Sequence, residues 1–387
     1  PALSAANARV SAERSAIRAQ YSPDNPKVGF MREKDMNLME QQMGPMNSWS
    51  VSQEIKFPTK YFLMGAAQSA RADAAEQAFQ EKRLEIRGKV ISAYFGLYAA
   101  DRIISLYEAQ KETLREVARI AESRYATGSV SQQDQMKAHV EQAKVENEIL
   151  MARQERETMA AMLNAVLNRE ASEEIALPSQ DLRLPRLESV AAAGATENIT
   201  KDLRKTSKRI NASEFTVKGA SINKALVGWT YAPDINFLYR KPFTVAQADA
   251  YSFSVELSIP FWFFLKQTSE CSSASAAVIE AEKMRDATIR ETEAESKALL
   301  SKVKTNENLL KIYETSLIPL VTNTLNSSRA AYRAGRASFI ELLDSERALY
   351  ETRIGFYRTL TQYVDALVRL EQITGQSLSS LPMGDST

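Results

Sequence analysis

Toward its C-terminal end the chain places Phe339, Leu343, Glu346, Tyr350, Arg353, Tyr357, Leu360, Val364 and Leu367 at alternating intervals of four and three. That spacing is the seam of a coiled coil, interrupted by two charges. Leu342, Leu349, Phe356, Tyr363 and Leu370 recur at sevens as a second stripe beside it. Two adjacent stripes give this helix a neighbour on each flank, where a free two-helix hairpin needs only one. Residues 66–127 hold no proline and few internal glycines, Gly88 and Gly96, amid good helix formers. They predict one helix roughly 90 Å long at ~1.5 Å per residue. A second helix over 132–168 follows a tight turn at Gly128, and a short turn makes neighbouring helices antiparallel.

The pattern recurs as a helix over 273–333, a turn at Gly335 and a return over 339–374. The tips match in register, Tyr125-Ala-Thr-Gly128-Ser-Val-Ser against Tyr332-Arg-Ala-Gly335-Arg-Ala-Ser. Such self-similarity marks a duplicated unit.

Each hairpin is preceded by segments of period two. Tyr251, Phe253, Val255, Leu257 and Ile259 alternate with Ser252, Ser254, Glu256 and Ser258. Trp49, Val51, Ile55 and Phe57 alternate with Ser50, Ser52, Glu54 and Lys56, with Gln53 the exception. Period two predicts half-buried strands, and Pro58 and Pro260 close them at element boundaries. Partner strands are expected around Val28 and Phe30 in the first half and around Val227, Trp229 and Tyr231 in the second. The organisation is then a first repeat over 1–170, with strands near 27–33 and 48–57 and a helical hairpin over 66–168. A linker of mixed short helix and loop covers 171–224. A second repeat follows over 225–376, with strands near 226–238 and 251–259 and a hairpin over 273–374, and residues 377–387 form a tail.

Composition narrows the function. Forty-nine Lys and Arg against 48 Asp and Glu leave a net charge of +1 with no basic block, which argues against nucleic acid as a partner. Cys271 is the one cysteine, so no internal disulfide can form. There is no glycine-rich phosphate loop, no His-Glu-x-x-His and no plausible triad. The single histidine, His139, falls on a predicted helix face, so neither an enzyme nor a cofactor is expected. The first residues carry no export signal, as in a mature or trimmed chain. No run approaches the ~20 apolar residues of a spanning helix, and the densest, 259–265, is far too short. A membrane crossing, if there is one, is made by strands.

Four strands of about ten residues, apolar on one face and polar on the other, match transmembrane barrel strands. A small sheet capping a soluble coiled-coil scaffold is the alternative. Four strands cannot close a barrel, and an open edge in lipid leaves unpaired amides at several kcal/mol each. Single-chain barrels start at about eight strands, so other copies must complete this one, and three would give twelve. On this reading Tyr251, Phe253, Val255, Leu257 and Ile259 face lipid, and the serines and Glu256 face the lumen.

The order strand, proline, long helix, the Tyr-x-x-Gly tip in both halves and the stretch Ser338-Phe-Ile-Glu-Leu-Leu-Asp344 resemble the TolC outer-membrane efflux family, from Pro1 to about Gln376. The resemblance implies a mainly α fold with a small β part: a homotrimer forming a twelve-stranded barrel in the outer membrane of a Gram-negative bacterium, continuous with a long periplasmic α-helical barrel. It implies the exit duct of a tripartite efflux system. A periplasmic adaptor would dock on the tips, at Gly128, Ser129, Gly335 and Ala337, and couple the duct to an inner-membrane pump of the resistance-nodulation-division type. Drug efflux and type I secretion are the alternatives within the family. The chain begins where the family's first helix is already under way, so residues upstream are expected, and Cys271 does not match the acylated N-terminal cysteine of some members.

Two further expectations follow. Glu341 and Asp344, three apart, share a helix face one turn beyond the second tip. They match the family's acidic entrance residues, which implies six carboxylates around one narrowing in a trimer, a ring that attracts cations. Phe57-Pro-Thr-Lys-Tyr-Phe-Leu-Met-Gly65 resembles the Phe-Pro-Gly-Lys stretch of the heavy-metal branch, with Thr59 in place of the glycine. Met36, Met39, Met43 and Met46 lie in or beside the first hairpin loop, and thioethers suit soft Cu(I) or Ag(I), although methionine is also ordinary filler. Metal ions are therefore an expected cargo.

Overall fold

The structure, a computed structural model, describes residues 1–33, 46–126, 132–177, 202–243 and 251–378. The chain divides into two compact units, Pro1–Gln80 with Lys208–Glu291 and Glu81–Ser207 with Thr292–Thr387.

In the first unit both halves of the chain contribute the same run of elements. Each begins with a helix, α1 (Ala2–Tyr21) and α4 (Lys208–Gly228). A strand pair follows, β1 (Lys27–Glu33) with β2 (Met46–Ile55) and β3 (Asp234–Pro242) with β4 (Ser252–Ser258). Then come the first turns of a long helix, α2 (Pro58–Ala126) and α5 (Lys266–Ile312). Pro58 opens α2 where its missing N–H is no loss, which starts the helix well ahead of Ala66.

The strands form one antiparallel sheet in the order β1-β2-β3-β4. Its register sets Val28 opposite Val51, Val51 opposite Tyr239, and Tyr239 opposite Phe253. Phe30 and Trp49 stand opposite each other, and the rows Gln53-Phe237-Val255 and Ile55-Ile235-Leu257 continue the same face. Because side chains alternate, one face is mainly apolar across all four strands, with Gln53 within it and Lys241, Asn47 and Arg32 at its loop end. The other carries Ser50, Ser52, Glu54, Asn236, Arg240, Ser252, Ser254, Glu256 and Ser258, with Leu238 the interior exception and Met31 and Pro242 at the loop end. Gln53 fits the apolar face because its amide turns back to donate to the Asp24 carbonyl at 2.7 Å.

Two expectations are corrected here. Val227, Trp229 and Tyr231 are not in a strand: α4 runs to Gly228 and a 3-10 turn covers Trp229–Tyr231. Their spacing mimics period two, but Pro233 is where the chain becomes extended, so β3 starts at Asp234. The linker expected over 171–224 likewise contains most of α4, the counterpart of α1, so the second repeat starts near Lys208. Ser213, Thr216 and Ser221 made this stretch look loop-like. Their hydroxyls are absorbed by carbonyls three or four residues back, Ile210, Ala212 and Lys218, at 2.7 to 3.0 Å.

The second unit is helical: the rest of α2, α3 (Gln132–Leu167), the end of α5, α6 (Ile318–Arg333) and α7 (Phe339–Thr374). Helix α7 is central to its packing. Leu360, Tyr363, Val364, Leu367 and Leu370 bury against Phe95 and Tyr98 of α2 and Leu300 and Val303 of α5. Phe339, Leu342 and Leu349 bury against Val117 and Ala121 of α2 and Leu325 and Tyr332 of α6. The two stripes thus meet neighbours on both flanks. The helix expected as continuous over 273–333 is interrupted by a π turn at Tyr313–Leu317. Pro319 follows directly, and the wider turn accommodates a residue that offers no N–H and crowds the preceding carbonyl.

Candidate functional site

The sheet passes into α2 through Phe57-Pro58-Thr59-Lys60. Lys60 Nζ donates to the Asp234 carboxylate at 2.8 Å and to the Ala232 carbonyl at 2.9 Å. The Phe57 N–H donates to the same Asp234 Oδ1 at 2.9 Å, and the Phe57 ring stacks on Trp229 with centroids 5.3 Å apart. The motif read as a family marker is therefore a latch, tying the end of the first strand pair to the start of the second. Gly65 lies on the next turns of α2, and a Cβ there would sit 2.2 Å from the Tyr21 ring. Glycine is what lets α1 lie this close.

On the strand chosen as lipid-facing, Phe253, Val255 and Leu257 lie on the apolar face of β4, with Tyr251 and Ile259 just outside its ends. All five are exposed in the single chain, Phe253 by 62%. On the polar face Asn236 donates to Glu256 at 3.0 Å.

The second hairpin tip is described in full. Helix α6 ends at Arg333, and Gly335 takes φ +72, a left-handed conformation that costs other residues energy. Its N–H donates to the Tyr332 carbonyl at 3.0 Å. Ala337 is partly buried against the cluster that includes Ala118, Leu325 and Tyr332. Ser338 caps α7: its Oγ accepts from the Glu341 N–H, and Glu341 Oε2 accepts from the Ser338 N–H, each at 3.2 Å. This reciprocal pair is a capping box. Asp344 is exposed one turn on and makes no hydrogen bond or ion pair with the described residues. The two acids share a face, as their spacing requires, but Glu341 is engaged by its helix end and Asp344 is not. Near them Arg347 pairs with Glu141 at 3.0 Å. Burial alone would raise the Glu141 carboxyl, but Lys144 and Arg347 hold it below the usual range.

Gly128 and Ser129 of the first tip lie outside the described residues, as do Met36, Met39 and Met43, while Met46 opens β2. His139 is a surface residue 3.8 Å from Glu122.

Glu346 is the residue whose environment the sequence did not disclose. It reads there as a charged interruption of the seam; in the structure it is 1% exposed. Its Oε1 accepts from Arg329 at 3.2 Å, and Oε2 has no hydrogen-bond partner among the described residues. Burial pushes its carboxyl above the ordinary range, with Arg329 opposing. The available signal was its place: a charge inside an apolar seam requires a buried partner.

The family model described as outer membrane efflux protein matches residues 1–169 and 200–376. The chain belongs to the outer membrane efflux protein family. Among its curated relatives is the cobalt-zinc-cadmium resistance protein CzcC of Cupriavidus metallidurans, 24% identical over 329 residues, which are 81% of this chain and 75% of CzcC. Among solved structures the outer-membrane channel OprN superposes with a TM-score of 0.83 at 15% identity, covering 96% of this chain and 86% of OprN. CusC superposes with a TM-score of 0.81 at 16% identity, covering 97% and 89%. OprN and CusC share with this chain the mainly helical fold with its small antiparallel sheet.

Proposed function

We propose that this chain is one protomer of a homotrimeric exit duct in the outer membrane, passing on substrates delivered from an inner-membrane pump. One observation carries the proposal. The sheet is mainly apolar on one face through all four strands, mainly polar on the other, and open at β1 and β4. Such a sheet is stable in lipid only when further strands satisfy its edges, and three copies supply the twelve strands of a closed barrel. The helices then form a periplasmic barrel. Its tips, at Gly128, Ser129, Gly335 and Ala337, meet a periplasmic adaptor, and Glu341 and Asp344 line the entrance. The pump is of the resistance-nodulation-division type.

For cargo we propose metal ions. The observation favouring them is the relationship to CzcC, a cobalt-zinc-cadmium resistance protein. Met36, Met39, Met43 and Met46 are the candidate soft-metal contacts along that path.

Extraction from the outer-membrane fraction with detergent, followed by mass determination, tests the assembly. A trimer that needs detergent is expected. A dimer recovered from the soluble fraction would mean a coiled-coil scaffold instead. A deletion strain that tolerates cobalt, zinc, cadmium, copper and silver as well as its parent would remove the metal cargo and leave the duct.

A further inference from the structure

The sheet has two open edges, β1 and β4, and its hydrogen-bond pattern says which backbone groups line them. The Phe243 N–H donates to the Asn47 carbonyl at 2.9 Å, in the register that sets Ser48 opposite Pro242. Bonded and non-bonded pairs alternate along an antiparallel ladder, so odd-numbered residues of β2 bond to β3 and even-numbered residues bond to β1. Pro242 fits, since it stands at a non-bonded position and has no N–H to give. Carried outward, the alternation engages Lys27, Gly29 and Met31 of β1 with β2, and Ser252, Ser254 and Glu256 of β4 with β3. The N–H and C=O groups of Val28, Phe30 and Arg32 therefore point out of one edge, and those of Phe253, Val255 and Leu257 out of the other.

The two sets are complementary. Both lie on the mainly apolar face, so an antiparallel ladder between β1 of one copy and β4 of the next keeps that face continuous. Registers that satisfy this condition differ from one another by two residues. Setting Val28, Phe30 and Arg32 against Leu257, Val255 and Phe253 of the neighbouring copy gives every outward residue of both strands a partner. A slip of two residues one way puts Pro26 against Leu257, where a ladder bond is lost for want of an N–H. The same slip the other way leaves Phe253 beyond the end of β1 at Glu33.

Barrel closure favours the same register by a separate route. A path straight across the sheet runs through Val28, Val51, Tyr239 and Phe253, and in this register it continues at Arg32 of the next copy. Each copy thus advances the path from position 28 to position 32 of β1, and three copies advance it by about twelve residues, the shear of the closed barrel. The tangent of the strand tilt is the shear times the rise of ~3.4 Å, divided by the strand number times the spacing of ~4.8 Å. For twelve strands the tilt is roughly 35°, at the lower bound of the ~35–45° of membrane barrels. The register that meets Pro26 gives only about 20°, and the opposite slip gives about 47°.

On the polar face this register sets Gly29 opposite Glu256 and leaves Lys27 on the diagonal beside it. Lys27 and Glu256 are exposed, and neither has an ion pair among the described residues. Glu256 accepts from Asn236 through Oε2, and a lysine is long enough to reach a diagonal cross-strand neighbour.

We propose that copies of this chain join edge to edge with Val28 against Leu257, Phe30 against Val255 and Arg32 against Phe253, and that Lys27 of each copy pairs with Glu256 of its neighbour. This inference rests on the trimeric-barrel reading of the sheet.

The test is disulfide cross-linking of the full chain in a C271S background, with the mass in detergent determined before oxidation. Met31 and Ser254 of neighbouring copies should stand opposite at a non-bonded position, where side chains approach most closely. A slip of two residues moves a partner by about 7 Å, beyond disulfide reach. M31C/S254C should therefore oxidise to covalent trimers, while M31C/S252C and M31C/E256C, which match the two slipped registers, should link several-fold less. K27C/S258C reads the same register should the first variant not assemble. Strongest linking in M31C/S252C or M31C/E256C would overturn the register. Trimers that link in none of the variants would overturn the edge-to-edge joining and leave the trimer standing, whereas a soluble dimer throughout would overturn the duct reading and the seam together. For the ion pair, K27E and E256K should each lower the temperature at which the trimer dissociates, and K27E/E256K should restore most of it; no restoration would overturn the pair.

Discussion

Replacing Lys60 with methionine should unfasten the sheet at its junction with the helices. Side-chain exposure at the pair is 9% for Lys60 and 23% for Asp234, so the ion pair is largely shielded from water. Removing one partner of a buried pair costs about 3–5 kcal/mol, because the other charge is left without its counterion. Asp234 keeps the Phe57 N–H and some water, which lowers the expectation to about 2–3 kcal/mol. Trp229 reports the event, since it stacks on Phe57 immediately before the latch. In a W49F/W262F background, guanidinium unfolding followed by Trp229 emission should move to lower denaturant in K60M by an amount equivalent to that loss. The double variant K60M/D234N should regain most of it, because a neutral amide still accepts from Phe57 without leaving a bare charge. Unchanged stability in K60M, or a double variant as weak as the sum of the two single variants, would refute the latch.

Four other outcomes are expected. Val255→Arg should cost about 2–4 kcal/mol of barrel stability, as a charge near the bilayer midplane does, while Ser254→Arg should assemble normally; equal trimer yields would remove the sheet from the membrane. Bulky residues at Ser129 or Ala337 should abolish export without reducing trimer yield, and normal export would place adaptor docking elsewhere. Glu341→Ala with Asp344→Ala should reduce cation selectivity in planar bilayers, and an unchanged reversal potential in a salt gradient would end the entrance assignment. For Glu346, burial raises the folded-state carboxyl, so the folded chain holds its proton where the unfolded chain has lost it. Stability therefore falls as pH rises from the ordinary glutamate value toward the raised one. Glu346→Gln should flatten that slope and raise the unfolding midpoint at neutral pH; parallel curves for the two proteins would contradict the desolvation.

Helix positions were the most legible part of the fold because their signal is long and local. The two stripes through Phe339 and Leu342 each repeat over about eight turns, and the structure buries most members of both. Strand β4 was legible for the same reason, its alternation being unbroken from Tyr251 to Ile259. Strand β3 was not. Leu238 breaks its alternation, while Val227, Trp229 and Tyr231 offer a cleaner period two in a stretch that is helical. Helix α4 was hidden by residues whose hydroxyls compete with backbone hydrogen bonding; what recruits it into a helix includes packing, Gly219 lying against Ala70 and Ile210 fully buried. Local pattern failed where tertiary contact decides.

The candidate sites divide along the same line. Phe57-Pro-Thr-Lys60 was recognisable as a motif, but its purpose depends on Asp234, 174 positions away, and no spacing rule reaches that far. Glu341 and Asp344 share a helix face by their separation of three, and spacing treats them as equivalent. Chemistry does not. Glu341 stands third from Ser338 in the order Ser-x-x-Glu, a pattern that by itself announces a capping box, and its carboxylate is turned back on the Ser338 amide. Asp344 makes no hydrogen bond or ion pair among the described residues, and its charge acts on nearby Arg347. The pair is thus a helix start and an exposed carboxylate whose charge is felt by Arg347, and in the proposed entrance ring Asp344 would contribute more than Glu341, which holds the start of α7.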